Sequence, residues 1–169
     1  MRKLLIPALL LSILLTACAR PPKAVYLVRG EGQLAAEDLK RHPEVAVVHT
    51  FADLKRLARA KTALWIDKDA VDLVDGEWLD QAPQRRYPLV VVGYSHALYA
   101  FREALPGHRV IGPYVDWSKE TIEPGFSIWM IREETDTSIS AHMKGYEGTP
   151  SVQDILDKTN LLLEGKPID

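Results

Sequence analysis

The chain is 169 residues long, 47% apolar and 26% charged, with a formal charge of −2 and a single cysteine. That length suffices for a real hydrophobic core. Its 21 Lys and Arg are balanced by 23 Asp and Glu with no basic stripe, so nucleic acid is excluded as an expected partner, and the lone Cys18 excludes an intramolecular disulfide framework.

In chain order the first element is a leader. Arg2 and Lys3 precede an apolar run from Leu4 to Leu15. The run is too short to span a bilayer, and a charged start with small residues at the far end has the form of a secretory signal peptide. It closes on Leu15-Thr16-Ala17-Cys18, which resembles the lipobox of bacterial lipoproteins. The resemblance implies cleavage after Ala17 and acylation of Cys18, with membrane lipid as a partner through that residue. Ala19, rather than Asp, implies delivery to the outer membrane where the cell has two, and otherwise anchoring on the outer face of the cell membrane. Residues 18–23 then form the lipidated cysteine and a short proline-stiffened tether, and residues 24–165 form one α/β domain. Removing residues 1–17, with Arg2 and Lys3, leaves 152 residues and moves the formal charge from −2 to −4.

Short apolar runs alternate with amphipathic stretches along the rest of the chain, as in βαβ units. Residues 24–28, 45–49, 63–66, 89–92 and 109–112 read as buried parallel strands, and 126–131 as a sixth. Helices are expected over 33–42, 52–60, 76–85 and 96–105. A last helix opens on Ser151 as N-cap and stops at Gly165. The pattern predicts an α/β fold: a three-layer, open, mostly parallel sheet of five to six strands with helices on both faces. Such sheets are similar to flavodoxin-like, Rossmann-like and class I glutamine-amidotransferase-like domains. Ligands bind them at the carboxyl ends of the strands, where the strand order reverses.

Three motifs fall at expected strand ends. Gly30-Glu31-Gly32-Gln33-Leu34-Ala35 has the G-x-G-x-x-A spacing that brings backbone close to a pyrophosphate, so Gly30 and Gly32 are candidate ligand-binding residues; the alternative is a tight βα loop. Residues 63–71, ALWIDKDAV, resemble the first motif of the haloacid-dehalogenase phosphatases. The resemblance implies Asp67 as nucleophile and Asp69 as general acid/base, both holding Mg²⁺. Without it, these residues form a solvated acidic loop. Gly93-Tyr94-Ser95-His96-Ala97 resembles the nucleophile elbow G-x-S-x-G. Ser95 would then be catalytic, with His142 as base and Asp116 as orienting acid, and His108 and Asp136 as further candidates. The other reading, which the sequence favours, makes Ser95 the N-cap of the following helix.

Within residues 113–150 the stretches flanking the sixth strand are expected to be long and irregular, either carrying binding residues such as Trp117 or placing Trp117 and Tyr146 as covers of the sheet edge. Together these features point to a membrane-anchored extracytoplasmic lipoprotein whose α/β domain is a binding or interaction module, with a small molecule or an envelope protein as ligand. No cofactor or metal is expected. The alternative is a hydrolase at the strand ends, using Ser95 or a Mg²⁺-dependent Asp67/Asp69 pair.

Overall fold

The computed structural model describes residues 21–81, 86–108, 110, 112–134 and 139–168; the leader and Cys18 lie outside them. Six strands form one sheet in the order β2-β1-β3-β4-β5-β6, with β1 Ala24–Leu27, β2 Val45–Val48, β3 Ala63–Asp67, β4 Leu89–Val92, β5 Gly125–Glu134 and β6 Ile139–Glu147. The first four strands are parallel, and β5 and β6 run antiparallel as a hairpin added beyond β4. The sheet is therefore open and mixed. The β2-β1-β3-β4 part follows the order of flavodoxin-like sheets.

The continuous apolar runs of β1, β3 and β4 are explained by burial on both faces. On one face Tyr26, Trp65, Val90 and Ile128 pack against helix α4, Val152–Leu163, whose Ile155 and Leu156 face inward, and against Leu39 of helix α1, Ala36–Arg41. On the other face Leu27, Ile66, Val91 and Trp129 pack against Leu54 of helix α2, Phe51–Leu57, and Leu79 of helix α3, Gly76–Leu79. Phe101, from a π-helical segment Tyr99–Glu103, completes that layer. Two helices start as their sequences direct. The Thr50 side chain accepts from the Asp53 amide, and the Ser151 side chain from the Asp154 amide.

Four expectations are corrected. Of the strand expected over 109–112, the described residues Val110 and Gly112 belong to no strand, Arg109 and Ile111 lie outside the described residues, and β4 pairs directly with β5. The stretch after β5, expected to be irregular, contributes the long strand β6. Its sequence hides it, because a polar edge strand with a glycine lacks the apolar run of a central one. The helix expected over 96–105 is mostly one π-helical segment, and the helix from residue 76 ends at Leu79.

Gly145 of β6 lets that edge close over the end of β4. A Cβ there would stand 1.6 Å from the Ser95 carbonyl oxygen, so only glycine fits without moving backbone. We predict that Gly145→Ala destabilises the fold by at least about 3 kcal/mol. Gly148→Ala, where φ is +105° and no atom lies within 4 Å, should cost only about 1–2 kcal/mol. Urea unfolding of the two variants checks the ordering.

Candidate functional site

The carboxyl ends of β1, β3 and β4 carry Gly30 and Gly32, Asp67 and Asp69, and Ser95. The order reverses between β1 and β3, where a doubly wound sheet offers a crevice. Here that point is filled from within. Asp67, at the end of β3, is fully buried. Its Oδ2 accepts hydrogen bonds from the Tyr26 hydroxyl and, at 2.7 Å, from the Gln33 amide. Its Oδ1 accepts from the Asp69 amide at 3.0 Å. Burial, followed by the hydrogen bond to Asp67 and the negative charge of that residue, pushes the Tyr26 hydroxyl far above its ordinary pKa.

This arrangement decides what Gly30, Gly32, Asp67 and Asp69 do. The glycine loop turns its Gln33 amide inward onto Asp67 and Tyr26, so the donor that would meet a pyrophosphate is already engaged. Gly32 has φ +72°, and a Cβ there would lie 2.4 Å from Val28 Cγ2 and 2.7 Å from the Tyr26 hydroxyl. The glycine is required by this inward packing. Asp69 is exposed while Asp67 is buried, so the two carboxylates do not form one open pair. Mg²⁺ does not fit this donor set, because both Asp67 oxygens already accept protein N–H or O–H groups. Among the described residues, no group of three His, Cys, Asp or Glu side chains could hold a metal ion.

Ser95 follows β4 on the face that carries Ser127 and Trp129. Its hydroxyl donates to the Glu123 carbonyl oxygen at 2.8 Å, and its amide donates to the same oxygen at 3.1 Å. The N-cap expectation is therefore corrected: it is His96 whose Nδ1 accepts, at 3.5 Å, from the Tyr99 amide. The triad does not assemble either. His142 alternates with Tyr146 onto the face that bears Phe126 and α4, opposite Gly145 and Ser95. Burial and the nearby Arg132 and Lys144 hold the pKa of His142 below the usual histidine value. Asp116 is paired with Lys119 at 2.9 Å and accepts from Ser118; these partners, Lys119 first, hold its carboxyl below the usual range. His108 is buried 2.8 Å from Asp80 and edge-on to Trp129. Asp136 lies outside the described residues.

Trp117 anchors the segment that leads to β5. Its ring packs edge-on against His96 and Tyr99, with centroids 4.9 and 5.2 Å apart, and the Arg102 guanidinium donates to the Pro113 carbonyl. The segment is thus strapped over the Ser95 turn.

An open concavity lies one strand further out. A groove of about 760 Å³ runs between the glycine loop, α1 and the edge strand β2. Val28, Leu34, Leu39 and Val47 form apolar walls, and Lys40, Glu31 and His49 stand at the rim. Val47 is 42% exposed into it. The His49 ring is fixed, because its Nδ1 lies 3.0 Å from the Val28 carbonyl, which can only accept. The Nδ1 proton placed there leaves Nε2 as the outward nitrogen. Of these residues, sequence reasoning found only the glycines. An apolar Val47 in a four-residue run reads as core, and its exposure comes from β2 being the sheet edge.

Because the Tyr26 pKa is raised by folding, the folded state holds that proton more tightly than the unfolded state. Its contribution to stability is complete below the unfolded value near 10 and is lost as pH rises beyond it, by up to about 1.4 kcal/mol per pH unit. In Tyr26→Phe the alkaline loss should be shallower by that slope in urea titrations above pH ~10. For Ser95, the contact with the Glu123 carbonyl predicts a cost of about 1 kcal/mol for Ser95→Ala. Ser95→Asp should cost more, since it sets a carboxylate against a carbonyl oxygen. A true N-cap would give the reverse order for the same two variants.

Compared with protein-family models, with curated proteins and with solved structures, the chain matches none of them.

Proposed function

We propose that the chain is a lipid-anchored extracytoplasmic protein whose α/β domain binds a ligand in the groove between the glycine loop, α1 and β2. The observation that carries this reading is the groove itself: about 760 Å³, mainly apolar, with a few polar groups at its rim. That is the size and lining of an ordinary small-molecule site, and it lies at strand carboxyl ends. Cys18 supplies the anchor in this reading, and the short tether keeps the domain near the bilayer. The candidate nucleophiles support binding over hydrolysis. Ser95 is hydrogen-bonded under the strap to the Glu123 carbonyl, with no histidine bonded to it among the described residues, and Asp67 faces inward.

An anionic apolar fluorophore such as anilinonaphthalene sulfonate tests the groove without a known ligand. It should bind one site with a blue-shifted emission. Ala36→Trp, which fills the groove, should weaken binding at least about tenfold, while Tyr114→Ala, at an exposed position elsewhere, leaves it unchanged. Dye binding indifferent to Ala36→Trp would refute the site. Labelling of Ser95 by a fluorophosphonate, abolished in Ser95→Ala, would replace this reading with the hydrolase. Radiolabelled fatty acid should mark the wild type and not Cys18→Ser.

A further inference from the structure

We propose that the amino-end edge of the sheet is a docking surface for an anionic phospholipid bilayer, so that the anchored domain stands with its carboxyl-end groove facing away from the membrane. The inference rests on the lipid-anchor reading for the position of the membrane, and on the fold for the surface.

Four exposed cations meet at this edge. Lys23 immediately precedes β1, Arg59 and Lys61 lie in the connection entering β3, and Arg86 lies just before β4. β1, β3 and β4 are adjacent and parallel, so these connections come together. Hydrogen bonds tie them directly: Ala63 N–H to the Lys23 carbonyl at 2.8 Å, Thr62 Oγ1 to the Pro22 carbonyl at 3.3 Å, and Leu64 N–H to the Pro88 carbonyl at 2.8 Å. At about 4.8 Å per strand, β1 and β4 are about 10 Å apart, roughly one Debye length, so a charged surface meets the four cations together. None of the four forms an ion pair with a carboxylate among the described residues. Glu44 is the acid beside Lys23.

The opposite edge has the other sign. Glu31, Asp69, Glu120, Glu123 and Glu147 are exposed there, and two of its cations are already paired, Arg29 with Asp72 and Lys119 with Asp116. Glu133 and Glu134 lie in the β5–β6 hairpin, beyond β4 and outside this cluster. The tether enters in the middle of the basic edge. Five residues from Cys18 to Lys23 reach at most about 17 Å. An inverted pose would have to spend all of that length climbing past α4, whose 12 residues span about 18 Å. Charge and tether therefore select the same orientation. Acyl chains alone retain the protein; the basic edge sets how it stands, since each cation near an anionic leaflet strengthens attachment about fivefold.

The test uses the lipid-modified full chain in vesicles of phosphatidylcholine with or without phosphatidylglycerol, read by amide hydrogen exchange. Phosphatidylglycerol should slow exchange in residues 58–62 and 86–87 and leave 30–34 and 69–72 unchanged, and salt at about 0.5 M should erase the difference. Lys23→Glu/Arg59→Glu/Lys61→Glu/Arg86→Glu should abolish it, whereas reversal of Arg29, Lys40, Lys119 and Lys158 should not. Slowing that is independent of lipid charge would overturn the proposal, and so would slowing at residues 30–34 or an equal loss in the control variant. A second arm keeps the anchor separate. Full-chain Cys18→Ser should still sediment weakly with phosphatidylglycerol vesicles and lose this in the fourfold variant. If wild type takes up no fatty acid, the anchor reading fails while this arm still reads the surface; if fatty acid is incorporated and the arm shows no charge dependence, the surface fails alone.

Discussion

The buried side chain of Asp67 organises the carboxyl end of the sheet. It stands where β1 and β3 diverge, and it accepts from Tyr26 in the neighbouring strand, from Gln33 in the loop above, and from Asp69 in the turn that follows. A polar group at full burial is tolerated only when its lone pairs are matched with donors, and matched polar clusters fix a local structure more sharply than apolar packing does. The glycine loop takes its path from this cluster. Gly32 has to come within contact of Val28 and Tyr26 because its neighbour's amide reaches Asp67.

The same constraint moves binding away from the crevice that a doubly wound sheet offers. With the switch point filled by a side chain, the open volume appears between α1 and β2, where a six-residue helix is too short to cover the edge strand. A matching closure occurs at β4. There the Glu123 carbonyl satisfies both the amide and the hydroxyl of Ser95, and Gly145 admits β6 against the turn. Both motifs that resemble catalytic signatures are thus used to join loops to the sheet, and the apolar concavity lies beside them.

Sequence pattern carried the parts of the fold in which local chemistry and burial agree. β1, β3 and β4 announce themselves as apolar runs buried on both faces, and α4 by Ser151, its apolar periodicity and Gly165. Pattern failed where a residue's surroundings come from distant chain. Residues 109–112 have the apolar character of a strand, but the place beside β4 is taken by β5, whose pairing with β6 extends past the parallel core. β6 mixes His142, Lys144 and Gly145 with few apolar residues because its outer edge faces solvent. Asp67 reads as catalytic or solvated, since nothing adjacent to it shows that Tyr26 and Gln33 will converge there. Ser95 reads as a cap because its acceptor is 28 positions away.

Asp67 and Tyr26 form one buried, hydrogen-bonded unit that closes the switch point. A double-mutant cycle of Tyr26→Phe and Asp67→Asn, with stabilities from urea unfolding, measures their coupling directly. The two substitutions should be non-additive by at least about 1 kcal/mol, because Tyr26→Phe already removes the hydrogen bond through which Asp67→Asn acts on Tyr26. Additivity within about 0.3 kcal/mol would contradict it, showing that each group is satisfied independently and that the crevice is free to serve a ligand.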